Sequence, residues 1–250
     1  MESSHSWTKL QIQNHTEATK KLGQIKDEVI LFIKSNKNIY EKDVLDFIKK
    51  SYKKHGLVND SKKEFAIVAF GKNTKEVHYF PKKQGQKLKA NSLILLDIWA
   101  RLDKRNSPYA DMTWMFYFGN KVPSQIQEKW KVLADARDIA IEYIKKEIRK
   151  GKLPRGLDID RISHDVIGKS GFGENIKHTI GHSLGFDHPH GKLPGINWRE
   201  YSPILKNVGY TVEPGMYFSD FGMRTEIDFY ISEKNEIVVT TPIQSKIDTL

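Results

Sequence analysis

The 250-residue sequence contains no cysteine. Disulfides, thiolate metal sites and cysteine nucleophiles are therefore excluded, and the composition fits a reducing compartment. It also lacks any apolar run near the roughly 20 residues that a membrane span needs. The opening stretch, MESSHSWTKLQIQNHTEATKK, has no apolar core of the kind a secretory signal carries. These absences set the expectation of a cytoplasmic protein with no membrane partner. Acidic residues are in deficit, 31 against 41 Lys and Arg, giving a formal charge of +10 and a pI near 9.4. That balance raises nucleic acid as a partner class. The lysines, however, come as scattered pairs (20–21, 49–50, 53–54, 62–63, 82–83, 145–146) on amphipathic segments. This pattern reads as a solvated surface, and a nucleic-acid partner is not expected.

Apolar positions at three- and four-residue steps predict helices over 14–35 and 41–55. Strand-like runs follow at EFAIVAF (64–70), SLILLDIW (92–99) and ADMTWMFYF (110–118). Helical stretches then run from about Ser124 to Lys150 and from about Asp158 to Lys169, and strands return at HTIGHSLGF, GYTVEPGMYF, RTEIDFYIS and EIVVT. The second half thus repeats the order of the first, two helices and then strands, with no low-complexity linker between. A single α+β domain over 1–250 is expected, built from related halves at about 14–119 and 120–242.

Four acids sit where an apolar strand should tolerate none. Asp97 ends SLILLD, Asp111 opens DMTWMFYF, Glu213 ends GYTVE, and Glu226 lies in RTEIDFYIS. A strand that is apolar on both faces is usually buried, and a carboxylate there is costly unless it is paired or bound to a cation. Each half supplies two such acids. Histidine is equally concentrated, with His178, His182, His188 and His190 inside KHTIGHSLGFDHPHG. Gly181 and Gly185 disfavour a helix there, but on an extended chain positions four apart share a face. His178 and His182 can therefore enter one pocket, one as a ligand and the other free for substrate. Oxygen-rich donors with one imidazole suit manganese, cobalt, iron or zinc. Four acids and a histidine exceed what one zinc ion takes, so two metals is the better count.

In this order and spacing the residues resemble the pita-bread metallopeptidases, the family of methionine aminopeptidase, Xaa-Pro aminopeptidase and prolidase. The resemblance covers roughly residues 20–240. Asp97 in LLDIWA, Asp111 in YADMTWMFYFG, His182 in HTIGHSLG, Glu213 in VEPGMYF and Glu226 in RTEIDF correspond to that family's five metal ligands. The resemblance implies two pseudo-symmetric halves around a curved antiparallel sheet and two divalent ions per chain. Manganese is the expected metal, with cobalt, zinc or iron as alternatives. It further implies that Asp97 chelates one ion, His182 and Glu213 the other, and Asp111 and Glu226 both.

The implied activity is hydrolysis of the N-terminal bond of short peptides, with Glu226 or Glu213 moving the proton. His78 in EVHYFP, His178 and Arg224 in RTE resemble the Xaa-Pro branch, with His78, His178 and one of His188 or His190 on the substrate side. The family's downstream histidine falls on Pro189 here, so either flanking histidine would serve after a one-residue shift. Trp99 and Trp114 replace the family's glycine and arginine and are expected to reshape the pocket. On this reading the sequence starts at the catalytic domain, and substrate length would be limited in another way, such as by a partner subunit; a homodimer is one such arrangement. Two alternatives are a pita-bread binding module without catalysis, with a protein or nucleic-acid partner, and methionine aminopeptidase-like specificity. Loss of metal ligands would mark the first, and all five positions are filled.

Overall fold

The computed structural model describes residues 6–36, 38–60 and 64–250; the lysine pair 62–63 lies outside these. The chain opens on helix α1 (Lys9–Ser35), where the Thr8 hydroxyl accepts the Gln11 N–H and the Gln11 side chain accepts the Thr8 N–H. This reciprocal cap satisfies amides that the first turn leaves unpaired. The helix accordingly begins at Lys9, ahead of the apolar periodicity that starts near residue 14. Helix α2 (Glu41–His55) follows, then strands β1 (Leu57–Val58), β2 (Ala66–Phe70), β3 (Ser92–Leu102) and β4 (Ala110–Phe118). The second half repeats the plan with α3 (Ser124–Arg149), α4 (Gly156–Lys169), β5 (Gly209–Val212), β6 (Gly215–Tyr217), β7 (Gly222–Arg224), β8 (Ile227–Ile231), β9 (Ile237–Val239) and β10 (Asp248–Thr249).

In the first sheet β3 is central. It pairs antiparallel with β1, β2 and β4, and β10 adds to β4 in parallel. In the second half β5, β8 and β9 form an antiparallel sheet, and β6 and β7 form a separate hairpin. Side chains alternate across a strand, and here the alternation puts the acids on the faces turned away from the helix pairs. Ile94, Leu96, Ile98, Met112 and Phe116 face out, against α1 and α2. Tyr210, Val212, Ile227 and Phe229 face out likewise, against α3 and α4. The inner faces carry Asp97, Asp111 and Thr113 on one side and Thr211, Glu213 and Asp228 on the other. Each half buries its apolar face under its own helix pair and turns its acids toward the other half.

Two expectations are corrected by this alternation. Trp114 does not reach the pocket: one residue out of phase with Asp111 and Thr113, it packs with the α1–α2 core, where the Lys26 ammonium lies 4.4 Å over its ring. The stretch from His178 to Phe186 is extended but forms no regular strand. It runs beside β5 through the bonds Glu213 N–H to Ile180 O, Thr211 N–H to His182 O and Leu184 N–H to Gly209 O. The ladder is interrupted because the His182 N–H goes to the Thr211 hydroxyl instead of a main-chain carbonyl.

Gly181 marks how closely these segments approach, since a Cβ there would stand 2.2 Å from the Thr211 carbonyl oxygen. Gly168, on the exposed side of α4, has nothing within 4 Å of such an atom. Gly181→Ala should therefore cost roughly 1–3 kcal/mol through forced backbone displacement. Gly168→Ala should gain about 0.5–1 kcal/mol from helix propensity. Thermal melts should show a Tm lowered by roughly 2–10 °C for the first and slightly raised for the second; equal shifts would mean the close approach at Gly181 is wrong.

Candidate metal centre and its cavity

The inner faces of the two halves enclose a cavity of about 660 Å³. All of the site residues singled out from the sequence line it: His78, Asp97, Asp111, His178, His182, His188, His190, Glu213, Arg224 and Glu226. Register explains the placement. Asp97 lies opposite Thr113 across β3 and β4, and Trp99 lies opposite Asp111. The second half delivers Glu213 just past β5, and Glu226 between β7 and β8.

The tightest grouping is Asp111, His182 and Glu226, whose donor atoms all lie within 4.8 Å of one another. His182 Nε2 is 3.3 Å from Glu213 Oε1 and 3.9 Å from Asp111 Oδ2. Asp97 stands outside that grouping, with its Oδ2 held by the Arg224 guanidinium. Arg224, itself buried, also donates from Nε to the Thr113 hydroxyl at 3.1 Å. That hydroxyl in turn donates to Glu226 Oε2 at 2.7 Å. Thr211 holds Glu213 Oε1 in the same manner at 3.1 Å.

Protonation states expose what the cavity is short of. His182 Nδ1 is 3.0 Å from the Ser183 carbonyl oxygen, which can only accept, so the ring hydrogen sits on Nδ1 and Nε2 carries a lone pair. Burial, and then the neighbouring His190, push its pKa well below the ordinary value, so the ring stays neutral. With the acids ionised, that lone pair faces carboxylate oxygens, acceptor against acceptor. Burial raises the pKa of Asp97, although Arg224 opposes it. Burial, and then Glu226, raise Asp111; burial, and then Glu213, raise Glu226. Burial lifts Glu213 to about 7. Asp97 Oδ1 and Asp111 Oδ1 are buried with no hydrogen-bond partner among the described residues. Leaving aside the exposed Glu64, four carboxylates of the lining against one guanidinium leave an excess of three negative charges when all are ionised. Divalent cations are what this donor set fits: they would take up the excess charge and use the orphaned oxygens and the imidazole lone pair.

Several contributing residues escaped the sequence reading. Thr113, Thr211 and Asp228 each lie two positions from an acid, on the same face. Asp228 Oδ2 accepts the Asp111 N–H at 2.8 Å. The period-two spacing was the available signal. Tyr217 was also missed; its hydroxyl is 2.8 Å from His178 Nε2. His178 Nδ1 lies 2.7 Å from the Thr179 carbonyl oxygen, so both ring nitrogens are engaged, with Nδ1 donating and Nε2 accepting from Tyr217. Burial, and then Arg224, lower the His178 pKa to about 3. Of the two tryptophans, Trp99 does line the cavity, beside Ile67, Val77 and Phe80.

Residues 13–233 match the model of metallopeptidase family M24, and the chain belongs to that family. It is 28% identical over 225 residues to an uncharacterized peptidase of Staphylococcus epidermidis, covering 88% of this chain and 59% of the relative. An uncharacterized peptidase of Staphylococcus aureus is 30% identical over 207 residues, 81% of this chain and 54% of the relative. The chain thus spans little more than half the length of these relatives. Among solved structures, the X-Pro aminopeptidase from Thermotoga maritima superposes with a TM-score of 0.84 at 23% identity, over 98% of this chain and 64% of that one. The pita-bread fold expected from the sequence is therefore the fold of this chain. Among the described residues, no helix is long and apolar enough to cross a membrane.

The engagement of each imidazole leads to a separable outcome. His182→Ala, Asp111→Asn and Glu226→Gln should each lower divalent metal content, measured by elemental analysis of protein dialysed against limiting manganese. His178→Ala should retain it, because that ring is occupied by Thr179 and Tyr217. Equal metal loss in the His178 and His182 variants would show that the imidazoles are assigned wrongly.

Proposed function

We propose that the chain is a dinuclear metal-dependent exopeptidase that removes the N-terminal residue of short peptides, with proline preferred in the second position. One observation carries this reading: a neutral imidazole lone pair and two orphaned carboxylate oxygens converge, with two further acids, in a cavity large enough for a short peptide. Asp97, Asp111, His182, Glu213 and Glu226 would hold two ions, with Asp111 and Glu226 shared. Manganese is the first candidate, and cobalt, zinc and iron are alternatives. Bound there, such ions supply a water acidic enough to act near neutral pH and a positive charge for the substrate carbonyl.

The chain's own groups do the rest. His188 Nδ1 accepts the His190 N–H at 3.1 Å, so its Nε2 carries the ring hydrogen and can donate to a carbonyl oxygen. The His190 ring stacks on His182 at 3.8 Å between centroids and braces that ligand. His78, exposed at the mouth, is the second donor of this kind. His178 orients Tyr217, and Arg224 fixes Asp97. Glu213 or Glu226 moves the proton to the leaving amine. The substrate's free amine docks near Asp97.

The Xaa-Pro preference draws support from His178 four positions before His182, from Arg224 two before Glu226, and from the likeness in fold to an X-Pro aminopeptidase. Proline's fixed φ and missing N–H give a pocket something to select by shape. A second specificity is favoured by Trp99, whose indole joins Ile67, Val77 and Phe80 in an apolar wall suited to methionine or leucine as the first residue. Matched peptides Ala-Pro-Ala and Ala-Ala-Ala, with Met- and Leu-headed counterparts, should be assayed with manganese, cobalt and zinc added separately. The expected result is a kcat/KM at least about tenfold higher for the proline peptide, in the range one well-fitted apolar group supplies. A ratio at or below one removes proline from the reading, and no hydrolysis with any metal removes the peptidase itself.

A further inference from the structure

A further buried carboxylate, away from the acids of the cavity, holds the segment that carries His78. Glu41, the first residue of α2, has no exposed surface. Its Oε1 accepts the Phe70 N–H at 2.8 Å and the Asn73 side-chain amide at 2.9 Å. Its Oε2 accepts the Tyr79 hydroxyl at 2.7 Å and the Gln86 N–H at 2.6 Å. All of these donors are uncharged. They satisfy the lone pairs of a carboxylate whose burial would otherwise be costly, and the N-terminus of α2 favours negative charge at that end. Three of the four come from one segment, 71–88, whose later part is also bound to the start of α2 by the Glu41 and Lys42 N–H groups, which donate to the Gln86 and Gln84 carbonyls. Gly85 shows how tightly: at φ +72°, a Cβ there would stand 2.3 Å from Glu41 Oε2.

The same segment places Val77, His78 and Phe80 on the cavity. Its inner end is tied to the site, since the Val77 carbonyl accepts Arg224 Nη1 at 3.4 Å. Its outer end is tied to Glu41 through Tyr79. His78 sits between these two ties, and no hydrogen bond among the described residues holds its own ring. Its position is set by its neighbours in the chain.

We propose that Glu41 is a positioning residue for His78: the carboxylate fixes segment 71–88 and thereby sets where the imidazole stands at the mouth of the cavity. The kinetic part of the test rests on the peptidase reading; the spectroscopic part does not. In Glu41→Gln one oxygen becomes an amide nitrogen, so one pair of donors must face another donor whichever way the amide turns. The segment should loosen, with faster amide exchange over residues 71–88. The His78 ring resonances, identified by their loss in His78→Ala, should shift, whereas those of His164 on α4 should not. Hydrolysis should fall roughly 10- to 100-fold in kcat/KM, as expected for a misplaced group, with metal content unchanged.

The decisive measurement is a double-mutant cycle. In the His78→Ala background, Glu41→Gln should cost less than about twofold, because the group it positions is already gone. Equal losses in both backgrounds would overturn the proposal and leave Glu41 a purely structural residue. Unchanged exchange over 71–88 and unmoved His78 signals would overturn it as well. If Glu41→Gln does not fold, Tyr79→Phe, which keeps the carboxylate and removes one donor, should give the same non-additive pattern at smaller size. A wild-type chain without peptidase activity would sink the function proposed above, and the ring resonances and exchange would still decide this one.

Discussion

Acceptors crowded against acceptors are the constraint on which the rest of the structure depends. Four carboxylates and an unprotonated imidazole share one buried wall, with a single guanidinium among them. Nothing in elementary electrostatics lets such a group persist cheaply unless positive charge arrives between its members. The surrounding architecture is what holds the groups apart from water and fixed in place. Each sheet turns one face to a helix pair; the other face carries the acids and the hydroxyls that hold them, beside apolar residues such as Leu93, Leu95 and Met115. Thr113, Thr211 and Arg224 orient carboxylate oxygens by direct hydrogen bonds, so the donor set is arranged before any cation enters.

Much of this was legible in the sequence because strand periodicity is simple. Acids interrupting SLILLD and DMTWMFYF could be recognised as misplaced, and their phase told which face they occupy. The same rule, applied one residue further, separates Trp114 from Asp111 and Thr113; grouping the two tryptophans by their departure from a family pattern ignored that phase. The helix pairs were legible from their apolar stripes, but the start of α1 was not, since a capping box and not burial holds its first turn. The extended course of 178–186 was legible too. Its failure to form a regular strand depends on a side-chain hydroxyl, Thr211, competing for a main-chain N–H across 29 residues of sequence, which no local pattern reveals.

Less visible still were contacts that tie distant loops to single side chains. Glu41 reads as an ordinary acid at a helix start, and its four donors lie 29 to 45 residues downstream. Tyr217 reads as one more aromatic in VEPGMYF, yet its hydroxyl donates to the His178 nitrogen that the Thr179 carbonyl leaves without hydrogen. In both cases a segment that lines the cavity is held by a group that looks structural in one dimension.

The Arg224–Asp97 pair joins the two halves across 127 residues of chain. Closing a loop of that size is entropically slow, and contacts between distant segments form late on the way to the native state. Asp97 and Asp111 come from the first sheet, and Glu213, Arg224 and Glu226 from the later part of the chain. Neither set of acids makes the cavity alone: its acidic lining exists only once segments 113 and 127 residues apart have docked.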